Sequence, residues 1–238
     1  MSVAAADALF DRDGWWDPAC REFESLRRVS TFRLQLIEQW LGDSWDGRVV
    51  VDLGCGGGLL AVPLARSGAQ VLGLDIASKA LRSAQVAANR EPTSAHFLAV
   101  IAKMQASPVR DQQADVVLLA DVLEHVEDPR AAIAEAARML RPGGHLFVNT
   151  IDRSMRSRLL AIWLGEGLGF IPKGTHEWRM FIRPAELKAM ALAAGLQQVQ
   201  LTGESPKLLA TVRQRAVVLR ETRSTAVGYA ALFTKDPS

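Results

Sequence analysis

The sequence has little of several features that would place it in other classes of protein. It holds two cysteines in 238 residues, too few for a disulfide framework and typical of a reducing compartment. Its formal net charge is +2, so no overall basic excess points to a nucleic-acid partner. No apolar run is long enough to cross a bilayer, and residues 1–13 lack the basic start and apolar run of a signal peptide. We therefore expect a cytoplasmic protein.

Strand and helix patterns alternate along the chain, which predicts a doubly wound α/β fold with a mostly parallel, seven-stranded sheet. Hydrophobic residues make up 49% of the sequence, enough for a substantial core. The expected strands are 48–53, 70–75, 96–100, 114–119, 145–150, 198–202 and 226–234, and the expected helices are 59–66, 78–89, 129–140 and 184–194. We expect a helical cover over residues 1–47, an α/β domain over 48–238 and a lid insertion at 153–183 within it.

The most informative segment follows the first expected strand. A β-branched run ends at Asp52 and leads into a loop that contains Gly54 and Gly56, after which an apolar helix begins. Glycines let such a loop turn sharply and bring its backbone close to a ligand. The second strand ends at Asp75, about twenty residues beyond the loop, where nucleotide-binding folds place an acid on a ribose diol.

The two acids distinguish between nucleotide cofactors. Asp52 beside the loop would repel a pyrophosphate, but it suits a cationic amino-acid group. S-adenosylmethionine carries an ammonium and a sulfonium and no phosphate, so Asp52, the loop and Asp75 together favour it over a dinucleotide. The predicted cofactor-binding residues from this region are Asp52, Gly54, Gly56, Asp75 and Ile76.

Several short motifs occur together in the part of the chain up to about Gly203. They are Trp15-Trp16-Asp17, the loop from Asp52 to Gly58, Leu123-Glu124-His125-Val126-Glu127-Asp128-Pro129, Arg141-Pro142-Gly143-Gly144, Pro172-Lys173-Gly174-Thr175-His176 and Phe181-Ile182-Arg183-Pro184-Ala185-Glu186-Leu187. In this combination the chain resembles the ubiquinone-biosynthesis O-methyltransferases of the class I S-adenosylmethionine-dependent fold. That family methylates polyprenyl catechols and related phenols.

The resemblance implies methyl transfer from S-adenosylmethionine to a phenolic oxygen of a polyprenyl catechol or demethylubiquinol. It also implies cofactor contacts at Arg33, Gly54, Asp75 and the position of Ala120, with Arg33 bound to the methionine carboxylate. The chain departs from the family at Ala120, where a longer side chain is usual, and over 204–225, which lacks the usual Asn-Pro-containing stretch. Alternatives are O- or N-methylation of another aromatic metabolite and, from a different class, a non-catalytic cofactor-binding scaffold.

Three side chains after the fourth expected strand form a candidate metal site. If the segment is helical, its spacing places Asp121, Glu124 and His125 on one face, where they could hold Mg²⁺ for two catechol oxygens. The resemblance supports this site, with Asp121 in place of the more usual glutamate. The alternative is metal-free chemistry in which His125 acts as general base. His176 is a further candidate base or substrate-positioning group, and Glu124 is a candidate catalytic residue in either case.

The segment 153–171 starts with Arg153, Arg156 and Arg158 and continues through apolar residues that include Trp163 and Phe170. It is too short and too interrupted by glycine to span a bilayer, but it suits an interfacial element with its arginines at lipid headgroups. We expect contact with the inner membrane surface if the substrate carries a prenyl tail. The alternative is an ordinary lid packed on the sheet or on a second subunit, and the oligomeric state stays open.

Overall fold

The computed structural model describes residues 10–90, 96–103, 107–169 and 174–237. The strands are β1 (Val49–Leu53), β2 (Gln70–Asp75), β3 (Phe97–Ile101), β4 (Ala114–Ala120), β5 (Leu140–Ile151), β6 (Leu196–Pro206), β7 (Leu219–Thr222) and β8 (Gly228–Lys235). The longer helices are α1 (Glu24–Leu41), α2 (Ala61–Arg66), α3 (Ser78–Ala88), α4 (Pro129–Met139), α5 (Pro184–Ala193) and α6 (Leu208–Gln214). Short 3₁₀ turns lie at Arg21–Phe23, Leu123–His125 and Trp178–Met180, and Met155–Ser157 continues into a π-helix at Arg158–Glu166.

Within the described residues the strands form an eight-stranded sheet in the order β3-β2-β1-β4-β5-β8-β6-β7. Strands β1 to β5 pair in parallel, which puts their carboxyl ends at one edge of the sheet. Strand β8 runs antiparallel between β5 and β6. The predicted doubly wound fold with a mostly parallel sheet is confirmed.

The central strands of the sheet are mostly apolar, and they are packed on both faces. Successive residues of a strand point to opposite faces, and Val117 and Leu118 of β4 accordingly belong to two different core clusters. Val117 packs in the cluster that contains Ile133 of α4, and Leu118 packs in the cluster that contains Ile37 of α1. Helix α1 is thereby fixed against one face of the sheet.

Helix α4 begins where the sequence predicts. The Asp128 side chain accepts a hydrogen bond from the Ala131 backbone N–H at 3.1 Å, and Pro129 occupies the first turn, where a missing N–H costs nothing. This helix follows the segment that carries the candidate site residues of the 121–125 region. The start of α4 therefore fixes the position of the chain just after the 121–125 region.

The structure differs from the sequence prediction on the strand count. The eighth strand is β7, which pairs antiparallel with β6 at the sheet edge. Its four residues are partly or fully exposed, and two of them are Arg220 and Glu221. The sequence therefore has no apolar run there that would predict a strand. The strand predicted at 145–150 also begins earlier than expected, because residues 141–144 belong to β5 and form an irregularity in its pairing with β4.

The insertion is described only in part. Phe170, Pro172 and Lys173 lie outside the described residues, as does the side chain of Trp163. Across the portions of the chain that are described, no helix combines the length and the apolar character that a membrane span requires.

We predict that Ile37→Ala destabilises the protein by about 2–5 kcal/mol, because Ile37 is fully buried and its loss leaves a cavity under α1. The melting temperature measured by calorimetry should fall by several degrees. Val86→Ala on the exposed side of α3 is the control and should change stability by about 0.5 kcal/mol or less. Equal effects of the two substitutions would contradict the anchoring of α1 by Ile37.

Candidate active site

The carboxyl ends of the parallel strands open into a cavity of about 850 Å³. Its walls come from α1, from the loop after β1, from the residues that follow β2 and β4, from the end of β5, from the insertion, and from α6. Open α/β sheets bind their ligands at this edge. The volume is that of a small-molecule site.

The loop after β1 has a backbone geometry that requires glycine. Gly54 and Gly56 have φ angles of 76° and 50°, which residues with a Cβ rarely adopt. A Cβ on Gly54 would lie 2.5 Å from the Val122 side chain, and one on Gly56 would lie 2.7 Å from the Trp15 ring. The backbone of this loop therefore lines the cavity directly, with Trp15 packed against it.

Asp75 ends β2 and turns its carboxylate towards the loop. Its Oδ2 accepts a hydrogen bond from the Gly56 N–H at 2.7 Å, and its Oδ1 accepts one from the Ala77 N–H at 2.8 Å. Burial raises the pKa of Asp75, and these backbone hydrogen bonds oppose the rise. Each oxygen retains acceptor capacity for a hydroxyl. The next residue, Ile76, is 45% exposed and offers an apolar surface in the same cavity.

Asp52 lies near the end of β1 and is only 3% exposed, although it lines the cavity. Burial, together with the charge of Asp75, raises the pKa of Asp52 to about 7. A buried carboxylate without a compensating charge is costly, and a cation in the cavity would remove that cost. The position suits an ammonium or sulfonium and disfavours a phosphate.

Arg33 of α1 is buried and paired with two carboxylates. Its Nη2 and Nε lie 3.1 and 3.4 Å from Glu204 Oε2, and its Nη1 pairs with Asp121. Asp121 also accepts a hydrogen bond from Asn149 Nδ2 at 3.1 Å. In this arrangement protein carboxylates engage both sides of the guanidinium. Glu204 was not found by sequence reasoning, because it begins the segment that departs from the family and belongs to no motif.

The end of β4 brings two predicted residues to the cavity wall. Ala120 is the last residue of the strand and is partly buried. Asp121 follows with a φ of 53°, which turns the chain out of the sheet. Both line the cavity, and the short side chain of Ala120 takes up little of it.

The predicted metal ligands are near in sequence but point to different partners. Asp121 binds Arg33, whereas Glu124 is buried and accepts a hydrogen bond from the Thr150 hydroxyl at 2.7 Å. Within the ranges that the structure describes, no group of three or more His, Cys, Asp or Glu side chains is arranged to hold a metal ion. The arrangement of the described residues therefore does not fit Mg²⁺.

The two candidate histidines meet in the cavity. The rings of His125 and His176 stack with their centroids 6.0 Å apart. Burial lowers the pKa of His125, so this imidazole is neutral at physiological pH. His176 Nδ1 lies 3.1 Å from Glu166 Oε1, a contact that holds the ring in a fixed orientation.

Glu166 is a second residue that sequence reasoning missed. Its carboxylate is buried and accepts backbone hydrogen bonds from Gly174 at 2.6 Å and from His176 at 2.9 Å, in addition to the His176 ring contact. Burial raises the pKa of Glu166, but the hydrogen bonds outweigh it and leave the pKa below its ordinary value. An ionised carboxylate on Nδ1 keeps the proton of a neutral His176 on that nitrogen and leaves Nε2 as the acceptor.

Comparison with known proteins decides the family. A methyltransferase domain family matches residues 51–148. The ubiquinone biosynthesis O-methyltransferase of Idiomarina loihiensis is 40% identical over 205 residues, which cover 84% of this chain and 81% of the relative. That of Alkalilimnicola ehrlichii is 37% identical over 238 residues, covering 99% and 92%. The chain belongs to the ubiquinone biosynthesis O-methyltransferase family. As a member, it is an enzyme that uses S-adenosylmethionine to methylate oxygen.

Solved structures support the fold of this O-methyltransferase. A possible histamine N-methyltransferase from Thermotoga maritima superposes with a TM-score of 0.70 at 21% identity, covering 97% of this chain and 100% of the other. Magnesium protoporphyrin IX methyltransferase from Synechocystis, with bound S-adenosylhomocysteine, gives 0.65 at 18% identity, with 98% and 94% covered. The first is an S-adenosylmethionine-dependent methyltransferase, and the second has S-adenosylhomocysteine bound. The glycine loop of this chain and its two acids, Asp52 and Asp75, are chemically suited to S-adenosylmethionine.

We predict that Asp52→Asn makes the cofactor-free enzyme less sensitive to pH. The folded-state pKa of Asp52 is raised from 3.8 to about 7, so its contribution to stability is complete below pH 3.8 and is lost as the pH rises through 7. At pH 8 the variant should therefore be more stable than the parent, by about 1 kcal/mol or more. Melting temperatures from pH 5 to 8 measure the difference.

The control for this prediction is Asp43→Asn, since Asp43 is exposed after α1. Its melting temperatures should follow those of the parent at every pH. Parallel pH profiles for the parent and Asp52→Asn would contradict a raised pKa at this buried position.

Proposed function

We propose that the enzyme transfers the methyl group of S-adenosylmethionine to a phenolic oxygen of a polyprenyl catechol or demethylubiquinol in ubiquinone biosynthesis. The observation that carries the proposal is a single cavity that joins the acid-lined glycine loop to the His125–His176 pair. The names of the relatives favour the same pathway. The side of the cavity formed by the insertion and α6 includes Leu160, Leu168 and Leu208, an apolar wall suited to a prenyl tail.

For the cofactor, we assign Asp52 to the cationic amino-acid end and Asp75 to the ribose hydroxyls. Ile76 would cover one face of the adenine, and the backbone of the glycine loop would follow the chain between the two ends. Bound here, S-adenosylmethionine supplies an electrophilic methyl group on a sulfonium. Ala120 would contribute a backbone contact beside it. The cofactor role of Arg33 stays a prediction, because its guanidinium already holds Glu204 and Asp121.

For proton removal, we assign His176 as the general base. Glu166 orients its ring through Nδ1, and Nε2 then accepts the phenolic proton as the oxygen becomes nucleophilic. The buried carboxylate stabilises the imidazolium that forms. His125, stacked against His176 and kept neutral by burial, would position the aromatic substrate. Glu124 is held on Thr150 and supports the 3₁₀ turn that presents His125.

A second candidate function is methylation of another aromatic small molecule. It is favoured by one observation: residues from the segment that departs from the family, including Leu208, Val212 and Leu219, line the cavity. A different lining there would select a different ring or tail while the cofactor chemistry stays the same. Comparison of prenylated and tail-free catechols as substrates distinguishes the two candidates.

We also propose that the insertion contacts the membrane surface that carries a prenylated substrate. Met155 and Leu159 are 67% and 51% exposed, and the arginines at 156 and 158 are exposed beside them. Exposed apolar residues flanked by arginines suit the interface between headgroups and acyl chains. Residues of this insertion also line the cavity, so a prenyl tail bound there would lie beside the element that contacts lipid.

We predict methyl transfer from labelled S-adenosylmethionine to a short-chain prenyl catechol. His176→Gln should lower kcat by about 10²- to 10⁴-fold, the usual contribution of a general base, with little change in cofactor affinity measured by calorimetry. His145→Gln is the control and should keep the parental rate, because His145 lies on β5 and is not among the residues that line the cavity.

The assay also includes Mg²⁺ and chelator arms, which test the metal predicted at Asp121, Glu124 and His125. Rates that are unaffected by chelation agree with the separated side chains seen here. A parental rate in His176→Gln would eliminate this residue as the base. Absence of turnover with intact cofactor binding would favour the second candidate function or the non-catalytic scaffold.

We predict that the protein binds vesicles containing about 30% anionic lipid and that Leu159→Gln reduces the bound fraction several-fold. Flotation of the vesicles through a density gradient measures it. Val86→Gln is the control, because Val86 is similarly exposed on α3, away from the insertion in sequence. Equal vesicle binding by the parent and Leu159→Gln would contradict a membrane contact through the insertion.

A further inference from the structure

Glu204 of β6 has a carboxylate oxygen for which the described part of the chain supplies no hydrogen-bond donor. The residue is 3% exposed, and its Oε2 is held by Arg33. The oxygen without a donor among the described residues is Oε1, which is buried. A buried carboxylate oxygen without a donor is unfavourable, and such atoms in native proteins call for a specific explanation.

Glu204 lines the cavity of the candidate active site. In the strand register, Ile151 of β5 pairs with Gly228 of β8, and Gly228 pairs with Glu204 of β6. The row therefore places Glu204 about 10 Å across the sheet from Ile151, two strand spacings away. Gly228, between them, has no side chain to fill the gap. All three residues line the cavity.

The charges around Arg33 select the kind of ligand that Oε1 can accept. One guanidinium faces two carboxylates, Glu204 and Asp121, so the cluster has more acceptor capacity than its single cation uses. An anionic ligand is disfavoured beside these two carboxylates, whereas a neutral hydroxyl donor satisfies Oε1 without adding charge. Phenols are strong hydroxyl donors.

We propose that Glu204 binds the second hydroxyl of the substrate, the one next to the hydroxyl that is methylated, and thereby makes the enzyme selective for vicinal diphenols over monophenols. This inference rests on the proposed function and deepens it. Arg33 holds the carboxylate in place, and the hydroxyl donates to Oε1. Glu204 is thus a specificity residue, separate from the base that removes the reacting proton.

A purely structural role makes a different prediction. If Glu204 only neutralised Arg33, its loss would weaken all phenols alike or would lower stability and cofactor binding. Glu204→Gln keeps the shape of the side chain and an oxygen for Arg33, but it loses the negative charge and replaces one acceptor with an amide donor. Glu204→Met removes both acceptors at similar size.

The experiment measures binding to enzyme loaded with S-adenosylhomocysteine, which cannot transfer a methyl group. Isothermal calorimetry gives Kd for a short-chain prenyl catechol and for the same prenyl phenol without the second hydroxyl. The parent should prefer the catechol by about 10- to 100-fold, the strength of a hydrogen bond to a charged group. Glu204→Gln should lose most of that preference and Glu204→Met all of it, with the Kd of S-adenosylhomocysteine unchanged.

Glu221→Gln is the matched control, because Glu221 is the exposed cross-strand neighbour of Glu204 on β7. Its preference for the catechol should equal that of the parent. An unchanged preference in both Glu204 variants, an equal loss for both phenols, or weaker S-adenosylhomocysteine binding would overturn the proposal. Separate turnover measurements on the parent test the proposed function, whereas the binding ratio tests Glu204 whether or not turnover occurs.

Discussion

The buried guanidinium of Arg33 ties together three segments that are far apart in the chain. It pairs with Asp121 after β4 and with Glu204 on β6, while its own helix packs on the sheet. An isolated charge at such depth would cost several kcal/mol, so the fold is stable only when these carboxylates approach it. This wall of the cavity is therefore specified by charge pairing between Arg33 and the two carboxylates.

The cofactor end of the cavity is built differently. There, glycines bring the backbone to the cavity wall, and the carboxyls of Asp52 and Asp75 line the space left for a ligand. A side chain at Gly54, Gly56 or Gly57 would clash with neighbouring side chains. The Trp16 indole N–H donates to the Gly57 carbonyl at 2.7 Å, which holds Trp16 against this loop. Burial and the nearby charge of Asp75 raise the pKa of Asp52 to about 7, so a cation in the cavity would favour its ionised form. A cationic ligand completes that electrostatic arrangement.

The sequence was sufficient to predict those features that depend on local pattern. Apolar runs predicted the parallel strands, and the glycine loop between Asp52 and Asp75 indicated the cofactor. The Asp128 cap also formed as its residue type implied. It was insufficient for Glu166 and Glu204, whose partners lie 10 and 171 residues away and follow no spacing rule. It also missed β7, since an exposed edge strand is stabilised by backbone pairing and carries no apolar signal.

The separation of Asp121 from Glu124 and His125 has a consequence for how the chemistry is shared. Because Asp121 turns to Arg33 and Glu124 to Thr150, the residues after β4 serve as a structural junction between the cofactor end and the substrate end. In the mechanism that we propose, activation of the phenol is assigned to the His176–Glu166 pair on the insertion. The same insertion carries the exposed apolar surface, so contact of that surface with lipid would act on the element that presents the base. Membrane binding and proton transfer would in that case be linked through one segment.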